Sequence, residues 1–328
     1  MASDQAILRC AVLDDFQDAA RRFGPWEQLA PRVAMTSFRD HVADEQALIE
    51  RLRPFDIVCV MRERTQLPAR VLDALPNLRL VVTTALWNAA VDVEHAVARG
   101  IVVTGTDSEQ SGTPELIWLL MLALARHFEA ERASMRGGGW QTTVGLDLRG
   151  RTLGLIGLGK IGTRVAHVAN AFGMRVLAWS QNLTPERAQA EGAVYADKAT
   201  LLAQSDFVSV QLKLSQRTHH VVGAAELAAM KPTAFLVNTS RGPLVDEAAL
   251  VEALRAGRIA GAGLDVYDVE PLPADHPFRS MPNVVALPHV GYVTEAQYRL
   301  FFPQIVEDIR AWLDGRPIRL VRSSMPSA

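Results

Sequence analysis

The sequence predicts an α/β protein built from two doubly wound parallel-sheet domains. Three observations predict it. The chain has 328 residues, too many for one typical domain of roughly 100–200 residues. Short apolar runs alternate with helical patterns almost throughout, which is how βαβ units and parallel sheets read. The alternation comes in two sets, divided near Gly112 by a long apolar helical stretch.

In the first set the strand candidates are ILRCAVL, VAMTSF, DIVCVM, LRLVVTT and IVVTGT. Between them lie helical stretches such as DEQALIERL and PARVLDAL, and Pro76-Asn77 marks a loop before a strand. TPELIWLLMLALARHFEAERASM then reads as one long helix. Thr113 suits its N-cap, Pro114 its first helical position and Glu115 its first turn. Its apolarity predicts burial between domains or between subunits. Gly137 to Trp140, GGGW, ends it. The second set of strands is TLGLIG, MRVLAW, DFVSVQL, AFLVNTS, AGAGLDV and NVVALP. TEAQYRLFFPQIVEDIRAWLDG closes the chain as another long helix, which Pro303 is expected to kink or interrupt. This helix returns the chain to the first domain. The expected layout is a domain of residues 1–111 and 294–328, with a second domain of residues 112–293 inserted into it.

Bulk properties narrow the function. Apolar residues make up 49% of the chain and charged residues 21%, an ordinary globular balance. The net charge of −2, without a block of like charges, argues against a nucleic-acid partner. No apolar run reaches the roughly 18 residues of a membrane span. The start, MASDQAILRC, has no basic segment followed by an apolar one, so no signal peptide is expected. Cys10 and Cys59 sit in apolar strand-like runs and read as buried thiols of a cytoplasmic protein. No CxxC or metal-ligand spacing occurs, so no metal is expected.

Gly157, Gly159 and Gly162 form G-x-G-x-x-G, with Lys160 and Ile161 between the last two. The motif follows the strand TLGLI and opens the helix KIGTRVAHVANAF. That context makes it a dinucleotide fingerprint rather than a glycine-rich turn. The glycines let the backbone approach a pyrophosphate, which sits at the helix N-terminus. The next strand, MRVLAW, ends beside the expected adenosine ribose. Where an acid usually binds the ribose hydroxyls, the chain has Ser180, followed by Gln181 and Asn182. Nothing there repels a 2′-phosphate and no adjacent cation grips one. The reading is therefore NAD, with NADP left open.

Three more stretches carry chemistry-bearing residues at strand ends, where open α/β sheets bind ligands. In LVNTSRGPLVDEAAL, Arg241 follows Asn238-Thr239-Ser240, and its planar fork suits a carboxylate. In GAGLDVYDVEPLP, Asp265 and Glu270 lie at and beyond a strand end. In NVVALPHVGY, His289 follows a strand and a proline. Singly, each has an ordinary reading as a surface cation, a solvated acid or a turn residue. Together they match what reduction of a 2-keto acid needs: a cation for the carboxylate, an acid for the new alkoxide, and a group to hold that acid. A carboxylate beside a histidine favours the imidazolium and fixes the tautomer.

The set resembles the D-isomer-specific 2-hydroxyacid dehydrogenase family, over most of the chain from VLDDFQD to AWLDGRP. Its most specific parts are GLIGLGKIG, VNTSRGPLVDE, AGAGLDVYDVEPLP and LPHVGY. The resemblance implies a flavodoxin-like substrate domain, a Rossmann dinucleotide-binding domain, and a homodimer formed through the latter. It implies reduction of a small 2-keto acid to a D-2-hydroxy acid. His289 would donate the proton, Glu270 would hold His289, and Arg241 would bind the substrate. Asp265 would meet the nicotinamide carboxamide, and Thr239, Ser240 and Gly291 would lie near the cofactor. The loop TTALWNAAVD, through Ala85, Leu86 and Trp87, would contact the substrate carboxylate. Relatives that act as corepressors give a second reading, an NAD(H)-sensing protein-binding scaffold.

The chain departs from the family pattern in places. Ala85 stands where relatives have glycine, so a changed loop path is expected. Trp87 replaces an arginine. It reads either as lining a more apolar pocket or as packing on a neighbouring helix. Arg62 and Arg64 in MRERT read as solvated loop charges ahead of contacts to a substrate's distal group.

Overall fold

The computed structural model of the chain describes residues 6–109 and 111–321. Contacts divide it into two compact units, one of Met1–Glu109 with Val293–Ala328 and one of Gln110–Tyr292. The first holds β1 (Leu8–Val12), β2 (Val33–Ser37), β3 (Ile57–Val60), β4 (Leu80–Thr83) and β5 (Val102–Gly105). They pair in the order β2-β1-β3-β4-β5, all parallel. This is the flavodoxin-like winding, which reverses between β1 and β3. β3 and β4 bury every residue, as central parallel strands do, whereas edge strand β2 is only partly covered. Cys10 and Cys59 face each other across β1 and β3 as buried free thiols, Sγ to Sγ 3.7 Å.

The second unit holds β6 (Thr152–Ile156), β7 (Arg175–Trp179), β8 (Val194–Tyr195), β9 (Phe207–Val210), β10 (Phe235–Asn238), β11 (Gly261–Leu264) and β12 (Val284–Ala286). Their order is β12-β11-β10-β9-β6-β7-β8, again parallel, the Rossmann winding extended by one strand. Successive residues feed opposite faces. Val208 and Leu236 join one apolar cluster, Phe207 and Val237 the other.

Three sequence expectations change. The stretch from Gly112 is two helices, Gly112–Ala125 and Phe128–Arg136, not one. The Leu146 N–H takes the Ala125 carbonyl, and His127 turns left-handed at φ 48°. A tertiary partner thus replaces the next helical bond. Ser111 occupies the N-cap position, and Thr113, one residue inside the helix, instead donates its hydroxyl to Gly291 O at 3.3 Å. Pro303 does not interrupt the last helix, which runs Glu295–Leu313, capped by Thr294 through the Gln297 N–H. Among the described residues no helix is long and apolar enough to cross a membrane.

Candidate active site

The site is assembled from the carboxyl ends of β6, β10, β11 and β12. After β6, Gly157 takes φ 110° and packs so close that a Cβ there would lie 2.5 Å from Gln211 O. A Cβ on Gly162 would lie 2.4 Å from Gly157 O. Only glycine fits both positions. Gly159, by contrast, faces open space and caps the helix Lys160–Ala171 without a side chain. The first-turn N–H groups of that helix are left for an anion, with Lys160 exposed and Ile161 half-buried beside them. This turn fits a pyrophosphate.

Ser180 follows β7 half-buried, and its carbonyl accepts from the Leu183 N–H at 3.2 Å. Gln181 and Asn182 are exposed. One cation near Trp179 comes from further along the chain. Lys198 Nζ lies 5.6 Å from the indole but is paired with Glu226 at 2.6 Å.

After β10 the backbone turns on Asn238, which is buried. Its amide donates to Arg241 O at 2.9 Å, and its Oδ1 accepts from Ser240 N at 3.1 Å. Ser240 Oγ donates to Val210 O at 2.9 Å, and an Arg241 nitrogen donates to Ser240 O at 2.6 Å. Thr239 Oγ1 is buried with no hydrogen-bond partner among the described residues. An orphaned hydroxyl at this strand end fits a bound cofactor, since burial without a partner costs roughly 1–3 kcal/mol.

Asp265, the residue after β11, is buried. Its two oxygens accept from the Val290 and Gly291 N–H groups, each at 2.8 Å. Burial pushes its carboxyl up to about 6, against the pull of those N–H groups and of His289. It therefore pins the loop that carries His289. Glu270 Oε1 accepts from Tyr267 N at 2.9 Å, and Oε2 meets His289 Nδ1 at 2.6 Å. Burial raises Glu270, but His289, the Tyr267 N–H and Arg241 together hold it below the ordinary carboxylate value. His289 sits at φ 52°, with its ring edge-on to Tyr292 at 5.7 Å. The sequence-predicted Glu270 and His289 are thus brought together, and Asp265 is joined to the same loop.

In the first unit, the loop after β4 turns at Ala85, which takes a left-handed φ of 78° despite its methyl group. Gly105 leaves it room, since a Cβ there would lie 2.4 Å from Ala85 O, and Thr106 Oγ1 accepts from Ala85 N at 3.0 Å. Leu86 and Trp87 are 48% and 41% exposed, so the Trp87 ring is not packed away. Asn88 ties this loop to the β3 end, donating to Arg62 O at 2.6 Å, and Arg62 N donates to Thr84 Oγ1 at 2.8 Å. The Arg62 side chain is mostly covered, and Arg64 lies 5.2 Å from the Phe16 ring. Neither is the solvated loop charge expected. No group of three metal-ligating side chains occurs among the described residues.

Comparison with known proteins shows the family. The NAD binding domain model of the D-isomer specific 2-hydroxyacid dehydrogenases matches residues 118–291. The glyoxylate reductase of Thermococcus litoralis is 36% identical over 290 residues, covering 85% of this chain and 87% of that protein. The D-3-phosphoglycerate dehydrogenase of Archaeoglobus fulgidus is 37% identical over 278 residues, 84% of this chain but 52% of that one. A crystal structure of a phosphoglycerate oxidoreductase from Vibrio cholerae superposes with a TM-score of 0.89 at 36% identity, covering 94% of this chain and 100% of that one. The match over residues 118–291 and the relatives at 36–37% identity show the family: the chain belongs to the D-isomer specific 2-hydroxyacid dehydrogenases, oxidoreductases with an NAD binding domain.

Proposed function

We propose that the protein reduces a small 2-keto acid, of the size of glyoxylate or hydroxypyruvate, to the D-2-hydroxy acid. The observation that carries this reading is the 2.6 Å contact between Glu270 Oε2 and His289 Nδ1. Holding Nδ1 leaves Nε2 as the proton donor. The glycine turn, with Lys160, Ile161, Ser180, Thr239, Ser240, Asp265 and Gly291, holds the dinucleotide. When bound, the nicotinamide supplies the hydride for C2. Arg241 binds the substrate carboxylate and orients the carbonyl. His289 gives its proton to the carbonyl oxygen as that oxygen gains charge, and Glu270 stabilises the imidazolium before transfer. Ala85, Leu86 and Trp87 contact the substrate, and the exposed indole and Leu86 favour a compact or apolar side chain over a second anion. NAD is the first choice, with NADP open because Ser180 replaces an acid.

The protein is proposed to act as a homodimer in the cytoplasm, consistent with its two buried free thiols. The scaffold reading has no observation in its favour, since Arg241, Glu270 and His289 are all present.

The test is loss of nicotinamide absorbance with NADH and NADPH separately. The substrates are glyoxylate, hydroxypyruvate, pyruvate, phenylpyruvate and 3-phosphohydroxypyruvate. His289→Ala is expected to lower kcat about 10²–10⁴-fold while leaving NADH binding intact. Turnover that survives the substitution would remove His289 from the proton step.

A further inference from the structure

Arg241, Glu270 and His289 stand on three separate segments, and one residue outside that set touches all three. Tyr267 is 5% exposed. Its N–H donates to Glu270 Oε1 at 2.9 Å. Its hydroxyl donates to Leu287 O at 2.8 Å, with Leu264 O at 3.3 Å. Leu287 lies two residues before His289, and the His289 N–H donates back to that same Leu287 carbonyl at 3.1 Å. Gly242, next to Arg241, packs onto the Tyr267 carbonyl so closely that a Cβ would lie 2.1 Å from it.

We propose that Tyr267 is a positioning residue for the keto-acid reduction. Its hydroxyl fixes the His289 segment against Glu270, through the carbonyl that also anchors the His289 backbone. The inference rests on the function proposed above. Burial, and then the charges of Asp265 and Glu270, push the phenol well above its ordinary value. It therefore remains a protonated donor across the working range.

The loop itself does not depend on this hydroxyl. Asp268 N donates to Glu247 Oε2 at 3.2 Å, and Glu247 Oε1 meets His276 Nε2 at 3.1 Å. The Phe278 N–H points at His276 Nδ1 at 3.3 Å, which places the proton on Nε2 and makes Glu247 the acceptor. The Tyr267 ring lies 6.4 Å from Phe278. Tyr267→Phe thus removes the tie to Leu287 and keeps both the ring and the loop's second anchor.

The experiment compares the full-length wild type and Tyr267→Phe with NADH and glyoxylate or hydroxypyruvate. The expected result is a kcat lower by about tenfold, with KM for the keto acid within about twofold. A larger solvent deuterium isotope effect on kcat should accompany it, because proton transfer from a less constrained imidazole becomes more limiting. NADH binding, read by tryptophan fluorescence, and the thermal midpoint should stay near wild type. Unchanged kinetics would overturn the inference. So would a parallel loss of kcat, NADH affinity and thermal midpoint, which would make Tyr267 a packing residue only. A wild type without turnover on any keto acid would instead sink the proposed function, and this inference with it.

Discussion

Ala85 holds a backbone conformation that its methyl group disfavours. At φ 78° an alanine costs about 1 kcal/mol relative to glycine. Gly105 and the Thr106 hydroxyl hold it there. Ala85→Gly is therefore expected to stabilise the protein by roughly 0.5–1 kcal/mol, read from the urea midpoint at constant m. A lower midpoint would mean that the methyl packs more than it strains. The sequence shows the alanine and its preference, but it does not show that Gly105, twenty residues on, leaves space for the unfavourable turn. The same limit applies to His289. Its position after Leu287-Pro288 is legible, and so is its partnership with Glu270. The left-handed turn and the Tyr267 hydroxyl on Leu287 O are not. They depend on how β11 and β12 pair, which no local pattern encodes.

Among elements, the helix Phe128–Arg136 buries none of its residues. A nine-residue helix is marginal in water unless an apolar face is packed. Phe128 is 53% exposed and Met135 63%, and Trp140, in the turn after the helix, is 71% exposed. Such a face is what the proposed homodimer would cover. Light scattering is expected to give about twice the 35.9 kDa chain mass, and Met135→Glu with Trp140→Glu is expected to shift it toward one chain. A variant that keeps the wild-type mass would rule this surface out. Strand legibility follows burial. The long apolar runs of β1, β3, β4, β6 and β10 were readable because both faces are covered. β8, two exposed residues, leaves no apolar run to read. The break between Ala125 and Phe128 was unreadable for another reason. No glycine or proline marks it, and Leu146, far along the chain, causes it.

At the scale of the molecule, the chain leaves the first unit after β5 and returns to it at the end. The return is pinned to β5, where Gly105 N donates to Arg319 O, Val321 N donates to Val103 O, and Leu320 bridges antiparallel to Thr104. Arg319 also meets Glu307 at 2.7 Å and Asp308 at 2.9 Å. Asp308 is fully buried, and burial pushes its carboxyl up to about 7, with Arg319 opposing, Glu307 adding to the rise and the Thr104 hydroxyl opposing it. In the second unit Asp265 is raised to about 6. Below the ordinary value of 3.8 both folded and unfolded chains hold these protons. Between 3.8 and about 7 the folded chain binds a proton at Asp308 that the unfolded chain has lost. Stability therefore falls as pH rises through that window. Above it both states are ionised, and the penalty is complete and constant. From these two carboxyls, the cofactor-free protein should lose thermal midpoint from pH 4 toward 7. Asp308→Asn, which keeps the shape and cannot ionise, should flatten the part of that fall that extends above pH 6, where Asp265 no longer contributes. If the slope between pH 6 and 7 is the same in Asp308→Asn as in wild type, Arg319 already neutralises the carboxylate, and the clasp on the returning chain is an ion pair at every pH.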